Sequence, residues 1–199
     1  MLCLTFLCRI DFFYDFFRLM GLKLLLTGLP GVGKTTLIQF LANELGKDCA
    51  GFYTEEVREG GKRVGFDVVT LSDSEGGRGV LARVGATKQG PMVGQYTVML
   101  EQFEHFALQL LPENLSRCKV ILIDEIGKME CMSRKFQALV RKIYSDSSFS
   151  GHIVATIPQS RGKPLPLVRE LVDRNDTEVL EVTRANRDQL RGSLLSKIT

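Results

Sequence analysis

Eight consecutive residues carry the clearest chemistry in the chain: Gly28-Leu29-Pro30-Gly31-Val32-Gly33-Lys34-Thr35 fits G-x-x-x-x-G-K-[ST] at every fixed position. Glycines at this spacing let successive backbone N–H groups curl around an anion more closely than any side chain could. A helix beginning where the loop ends adds the partial positive charge of its N-terminus. On this reading Lys34 reaches the outer phosphates of a nucleotide and the Thr35 hydroxyl ligates Mg2+. Thr36 reads as a helix residue and not as a second ligand.

Holding phosphates is not yet a reaction, and a second element supplies the missing acids. Val120-Ile121-Leu122-Ile123 is an uninterrupted apolar run that ends in Asp124-Glu125. A strand buried on both faces reads this way, and its end would bring an acid beside the phosphate loop. Asp124 is then the metal-shell residue opposite Thr35. Glu125 is placed to polarise a water for in-line attack on the terminal phosphorus. The structural alternative is that both acids only end a strand and cap the segment after it.

These residues need a framework, and the hydrophobic pattern describes one. Residues 23–27 read as a buried strand, and residues 34–45 carry apolar positions 37, 38, 41 and 45, helical spacing that ends at Gly46. Residues 51–58 and 63–71 are strand-like runs around Glu59-Gly60-Gly61-Lys62, a hairpin turn signal. Gly-rich loops at 72–79 and 85–91 enclose what reads as a short exposed strand. A strand over 95–100 precedes a helix over 101–111, with Phe103, Phe106, Ala107 and Leu110 on one core-facing stripe. Beyond 120–123, the pattern predicts helices over 133–144, 165–174 and 184–197, with strands over 153–156 and 179–182. Alternating strands and helices predict an α/β fold, a largely parallel sheet flanked by helices with an inserted β-hairpin.

Composition narrows the classes. Hydrophobic residues at 44% and charged residues at 25% are ordinary for a globular chain and exclude a collagen-like, disordered or disulfide-dense one. A formal net charge of +3 leaves no electrostatic footprint for nucleic acid or a membrane surface, so neither partner is expected. Cys3, Cys8, Cys49, Cys118 and Cys131 show no C-x-x-C spacing and read as thiols in a reducing, cytoplasmic setting. Residues 1–19 differ in composition, holding five of the twelve Phe. They lack the apolar length of a membrane span and the charge order of a signal peptide. The expected division is therefore an extension at 1–19 and one domain at 20–199, expected to be a monomer. The extension reads either as an upstream start or as an aromatic docking segment.

Several candidates carry weaker signals. A cation contacting the terminal phosphate could come from Lys128, Arg161, Lys163 or Arg58, each of which is otherwise a solvated surface charge. Thr156 either senses the terminal phosphate or closes its strand. Glu55 and Glu56 point to opposite faces of a strand, so at most one turns inward. Asn186 and Arg187 could contact a base, although Asn also starts helices. His105 and His152 have no metal ligand or nucleophile at a useful sequence spacing and receive no role.

Taken together, residues 28–35, GFYTEEVREGGKRVGFDVVTL at 51–71, VGQY at 93–96, IDEIGKME at 123–130, TIP at 156–158, GKP at 162–164 and VTRANRDQL at 182–190 resemble one family. The chain is similar to the small nucleoside-triphosphatases of the thermophile type from about residue 23 onward. The resemblance implies a P-loop α/β domain with Mg2+-dependent hydrolysis of ATP, GTP and other nucleoside triphosphates to diphosphate and phosphate, with loose base selectivity. The expected nucleotide-binding residues are 28–35 with Asp124, Glu125, Ile126 and Gly127, and the expected catalytic residues are Lys34 and Glu125. The front segment and the loop over 72–92 depart from the family pattern. Two other functions fit the same loop: a nucleoside or nucleotide kinase, and a nucleotide-dependent interaction switch.

Overall fold

Leu24, Leu25 and Leu26 are at most 1% exposed, and they form the centre of β1 (Lys23–Thr27). Three neighbouring leucines can all be buried only in a strand covered on both faces, the condition that also produces the run in β7 (Val120–Ile123). The computed structural model describes residues 21–71, 77–86, 90–109, 118–159 and 162–199. The extension at 1–19, parts of the loops at 72–79 and 85–91, and Arg161 lie outside the described residues.

Helix α1 (Lys34–Leu45) follows β1 directly and turns its apolar residues onto the sheet. The remaining elements are β2 (Cys49–Glu59), β3 (Lys62–Thr70), β4 (Arg78–Val84), β5 (Met92–Val93), β6 (Tyr96–Val98) and α2 (Leu100–Gln109). After β7 come α3 (Arg134–Ser145), β8 (His152–Thr156), α4 (Pro166–Val172), β9 (Thr177–Glu181) and α5 (Arg187–Ile198). The closing helix thus starts three residues later than its pattern predicted, because residues 183–186 form a hydrogen-bonded turn.

One nine-stranded sheet runs β5-β6-β4-β3-β2-β7-β8-β1-β9. Strands β2, β7, β8, β1 and β9 are mutually parallel, and β3, β4, β6 and β5 continue antiparallel from β2. The expected largely parallel sheet is present, and an antiparallel half extends it on one side. The hairpin grows out of the sheet itself, since β2 is a single strand of 11 residues. Its inner end pairs Cys49–Phe52 with β7 and its outer end forms the hairpin with β3.

The strand expected to be exposed, β4, is buried: Leu81 and Ala82 are 1% and 0% exposed. Helix α2 covers it, and a Cβ on Gly79 would lie 2.1 Å from the Phe106 ring. On that face Phe52, Phe103 and Phe136 meet edge to face at 5.3 to 6.0 Å. Ser133 caps α3 by accepting from the Phe136 N–H at 3.0 Å, and it donates to Glu104 of α2 at 2.7 Å. On the opposite face α1 and α5 pack through Leu37, Ile38, Leu41, Leu194 and Ile198. None of the described helices is long and apolar enough to cross a membrane. The parallel strands deliver residues 28, 124 and 157 to the same sheet end, where ligands of open α/β sheets bind.

At the other end of the sheet, His152 accepts the Leu22 N–H on Nδ1 at 3.0 Å, and burial lowers its pKa below the usual value. The folded state therefore holds a neutral ring. Its contribution is full above a pH of about 6.5 and is lost as pH falls through the lower folded value. Melting curves of the wild type and His152→Gln, taken from pH 7.5 to 5.5, should show the difference moving in the variant's favour as pH drops. A pH-independent difference would refute the neutral-ring assignment.

Candidate active site

Between β1 and α1 the chain turns on Gly28, Gly31 and Gly33, at φ angles of 143°, 75° and 110°. Residues with a Cβ are strained at such angles, which explains the glycine spacing of the motif. Gly28 has a further constraint: a Cβ there would stand 2.3 Å from the Val182 carbonyl oxygen. The connection between β9 and α5 is thus pressed against the loop. Gly33 occupies the N-cap position of α1, and with no side chain of its own it leaves the first-turn N–H groups to an anion. Lys34 is buried, and its ammonium donates to the Gly28 and Leu29 carbonyls at 2.9 and 3.4 Å.

Strand β7 brings Asp124 to this loop. The residue is 1% exposed, and its Oδ1 accepts the Thr156 hydroxyl from β8 at 2.5 Å. Its N–H donates to the Phe52 carbonyl of β2 at 3.0 Å. Burial raises the carboxyl pKa, opposed by the Thr156 and Thr35 hydroxyls, the Lys34 charge and the Thr54 backbone. Oδ2 is buried with no hydrogen-bond partner among the described residues. An orphaned carboxylate oxygen near a threonine hydroxyl fits Mg2+, which takes one or two protein oxygens and completes its shell with water and phosphate. Asp124 and Thr35 are the residues that would hold it.

Glu125 comes next, at the edge of the site, half-buried, with its pKa raised by burial and by the Asp124 charge and lowered by Lys34. It lines a cleft of about 640 Å³ together with Gly28, Pro30, Lys34, Lys128 and Lys163. Two of the four candidate cations, Lys128 and Lys163, therefore converge on the cleft. Arg58 does not, because it lies at the hairpin tip against Glu56 at 2.7 Å and the Gly61 carbonyl at 3.0 Å. Glu55 and Glu56 point opposite ways as expected, and both are held within the antiparallel strands, Glu55 by Arg78 and Glu56 by Arg58 and Arg63.

Other candidates resolve differently from expectation. Thr156 is fully buried with its hydroxyl committed to Asp124, so it positions that carboxylate. Ile126 is 0% exposed in the core and its N–H goes to the Thr156 carbonyl at 2.8 Å. Gly127 gives its N–H to Glu130 at 3.1 Å. Both hold the turn after Asp124 and have no N–H left for a nucleotide. Asn186 is also occupied: its amide accepts from Thr183 N–H at 2.8 Å and donates to the Glu181 carbonyl at 2.9 Å.

Glu130 ends the IDEIGKME stretch, but the sequence assigns it no role. It is 5% exposed, and a Cβ on Gly127 would lie 2.8 Å from its Oε2 and 2.6 Å from Glu125 Oε1. Burial first, then the charges of Glu125 and Asp124, push its pKa up to about 8. No spacing rule identifies such a residue, since its partner is a backbone N–H three residues earlier. Burial likewise raises the Cys118 thiol and pushes Cys131 up to about 12, which keeps both protonated.

Comparison with known proteins places this arrangement. A family model described as NTPase matches residues 23–195. The cancer-related nucleoside-triphosphatase homolog of Mus musculus is 46% identical over 190 residues, covering 90% of this chain and 97% of the mouse protein. The crystal structure of THEP1 from Aquifex aeolicus superposes with a TM-score of 0.77 at 38% identity, covering 89% of this chain and 99% of that one. The solution structure of a human cancer-related nucleoside triphosphatase gives a TM-score of 0.73 at 46% identity, over 88% and 96% of the two chains.

The buried Glu130 makes a stability prediction. Its folded pKa of about 8 lies above the ordinary 4.5, so stability is full below about pH 4.5 and is lost as pH rises through 8. Glu130→Gln keeps an acceptor for the Gly127 N–H and removes the charge. Relative to wild type its Tm should rise across that interval and level off above it. Glu130→Ala should instead be destabilised by about 1–3 kcal/mol, the cost of an orphaned N–H. Parallel pH profiles for wild type and Glu130→Gln would contradict this.

Proposed function

Because the chain belongs to the NTPase family, with the match spanning residues 23–195, we propose that it hydrolyses nucleoside triphosphates in the cleft between the P-loop and the end of β7. The observation that carries this reading is the convergence on one cleft of Lys34, reaching from the loop, and Glu125, next to the buried Asp124. The reaction unit is the P-loop nucleoside-triphosphatase domain at 20–199, preceded by an extension at 1–19.

Each residue has a separable task. The loop over residues 28–35 and the first turn of α1 bind phosphate oxygens through backbone N–H groups. Lys34 exchanges its carbonyl partners for the outer phosphates and neutralises charge as the bond breaks. Asp124 and Thr35 would hold Mg2+, which would offset the charge of the phosphates. Thr156 keeps Asp124 in one orientation. Glu125 accepts a proton from the attacking water, a task favoured by burial and the Asp124 charge, which raise its affinity for a proton. Lys128 and Lys163, which line the same cleft, supply further positive charge. The products are nucleoside diphosphate and inorganic phosphate, with ATP and GTP among several accepted bases. The small net charge supports no role for nucleic acid, and cysteines without C-x-x-C spacing suit a reducing, cytoplasmic setting, where the chain works as a monomer.

A phosphoryl acceptor other than water is the second reading, favoured by one observation. The cleft volume of about 640 Å³ falls in the range of pockets that hold a small molecule.

Phosphate release from ATP, GTP, CTP and UTP, with and without Mg2+, separates these readings. Wild type should release phosphate from all four. Glu125→Gln should bind nucleotide with turnover lowered about 10²- to 10⁴-fold, and Lys34→Ala should lose affinity as well. Tight nucleotide binding by wild type with no release above the Glu125→Gln level would overturn hydrolysis and point to a missing acceptor.

A further inference from the structure

The P-loop has a second open side. A smaller cleft of about 220 Å³ lies between the first turns of α1 and α5, lined by Gly33, Thr36, Leu37, Arg187, Asp188 and Arg191. Pockets that enclose a whole ligand span about 300–1,000 Å³, so this one suits part of a molecule anchored elsewhere. The direction of the phosphate chain says which part. Thr35 turns its hydroxyl to Asp124 and the bond-breaking cleft. Thr36 lies about 100° further around the helix axis and is exposed. A triphosphate whose reactive end lies at Asp124 and Glu125 therefore sends its nucleoside end past Gly33 and Thr36 into the smaller cleft.

Two guanidinium groups wait there, four residues apart on one face of α5. The stem of Arg187 runs across the loop: its Cδ is 3.5 Å from where a Cβ on Gly33 would sit, and Nη1 is 3.5 Å from the Val32 carbonyl. The guanidinium of Arg191 lies 5.5 Å above the Phe40 ring of α1. The base of this shelf is fixed in advance. Val182 N–H donates to Thr27 at 2.7 Å, Thr183 and Asn186 bond reciprocally, and Arg187 N–H returns to the Thr183 carbonyl at 3.1 Å.

We infer that Arg187, with Arg191 behind it, is the platform on which the nucleobase stacks, and that it holds purines and pyrimidines alike. A guanidinium plane stacks on the face of any base, whereas base identity is read by hydrogen bonds at the base edge. The nearby side-chain amide, on Asn186, is occupied within its own turn. The inference rests on the nucleoside-triphosphatase reading of the P-loop and assigns the nucleoside half of that same site.

Calorimetric titration of the full chain with ATP, GTP, CTP, UTP and inorganic tripolyphosphate tests it, since binding is measured apart from turnover. Arg187→Ala should weaken all four nucleotides by a similar factor of about ten and leave tripolyphosphate affinity within about twofold of wild type. Arg187→Lys keeps the charge and loses the plane, so it should not restore nucleotide affinity. Equal weakening of tripolyphosphate, full rescue by Lys, or loss confined to one base would each overturn the platform. Nucleotide binding without turnover in wild type would count against hydrolysis alone and leave the platform standing.

Discussion

Removing a carboxylate from water is expensive, and Asp124 is almost wholly removed. Its surroundings are the means of tolerating that burial. Strand β8 lies next to β7 and supplies the Thr156 hydroxyl. Strand β1 lies next to β8 and leads into the loop that carries Lys34 and Thr35. Strand β2, on the other side, takes the Asp124 N–H on its Phe52 carbonyl. The strand order β2-β7-β8-β1 is thus the order in which the partners of one acid must stand. The oxygen left open points to the task that justifies the cost, since a divalent cation would give it a partner.

The two clefts divide the P-loop by chemistry. On one side lie a half-buried glutamate and two lysines. On the other lie two arginines whose planar groups suit aromatic rings. The antiparallel half of the sheet contributes to neither lining. Its charges are paired among themselves: Asp67 is buried and accepts from Arg78 at 3.0 Å and from Arg83 at 2.5 Å, while Arg63 bonds the Tyr96 hydroxyl at 2.9 Å. These contacts explain how strands rich in Arg and Glu remain in a sheet.

The phosphate loop and the buried parallel strands were legible because their constraints are local. Positive φ demands glycine, and burial on both faces demands an unbroken apolar run, so residues 28–35 and 120–125 announce themselves. The α/β class came from the same runs, as did the stripe that buries Phe103. The features that were not legible depend on partners distant in sequence. Strand β4 looked exposed because two Gly-rich loops flank it, yet the bareness of Gly79 is what admits the Phe106 ring. Thr156 could not be resolved between two roles because its partner is 32 residues away. Asn186 and Arg187 looked equivalent as neighbours, and only the turn over 183–186 separates the occupied amide from the available guanidinium. The burial of Glu130 was not legible even within IDEIGKME, since a buried acid looks like any surface glutamate until the fold surrounds it.

Gly127 has a consequence for inheritance. Its backbone angle is not among the positive φ values, so alanine is conformationally acceptable there. What forbids a side chain is crowding by two carboxylate tips, Glu125 at 2.6 Å and Glu130 at 2.8 Å. Both tips belong to flexible side chains that can yield, so a methyl group would displace the acids and leave the strands in register. Displacing Glu130 would also take the acceptor from the buried Gly127 N–H, so the same change would cost stability while it moves Glu125. An allele altered at this codon would carry both faults at once, and protein level and reaction would have to be measured side by side to tell them apart.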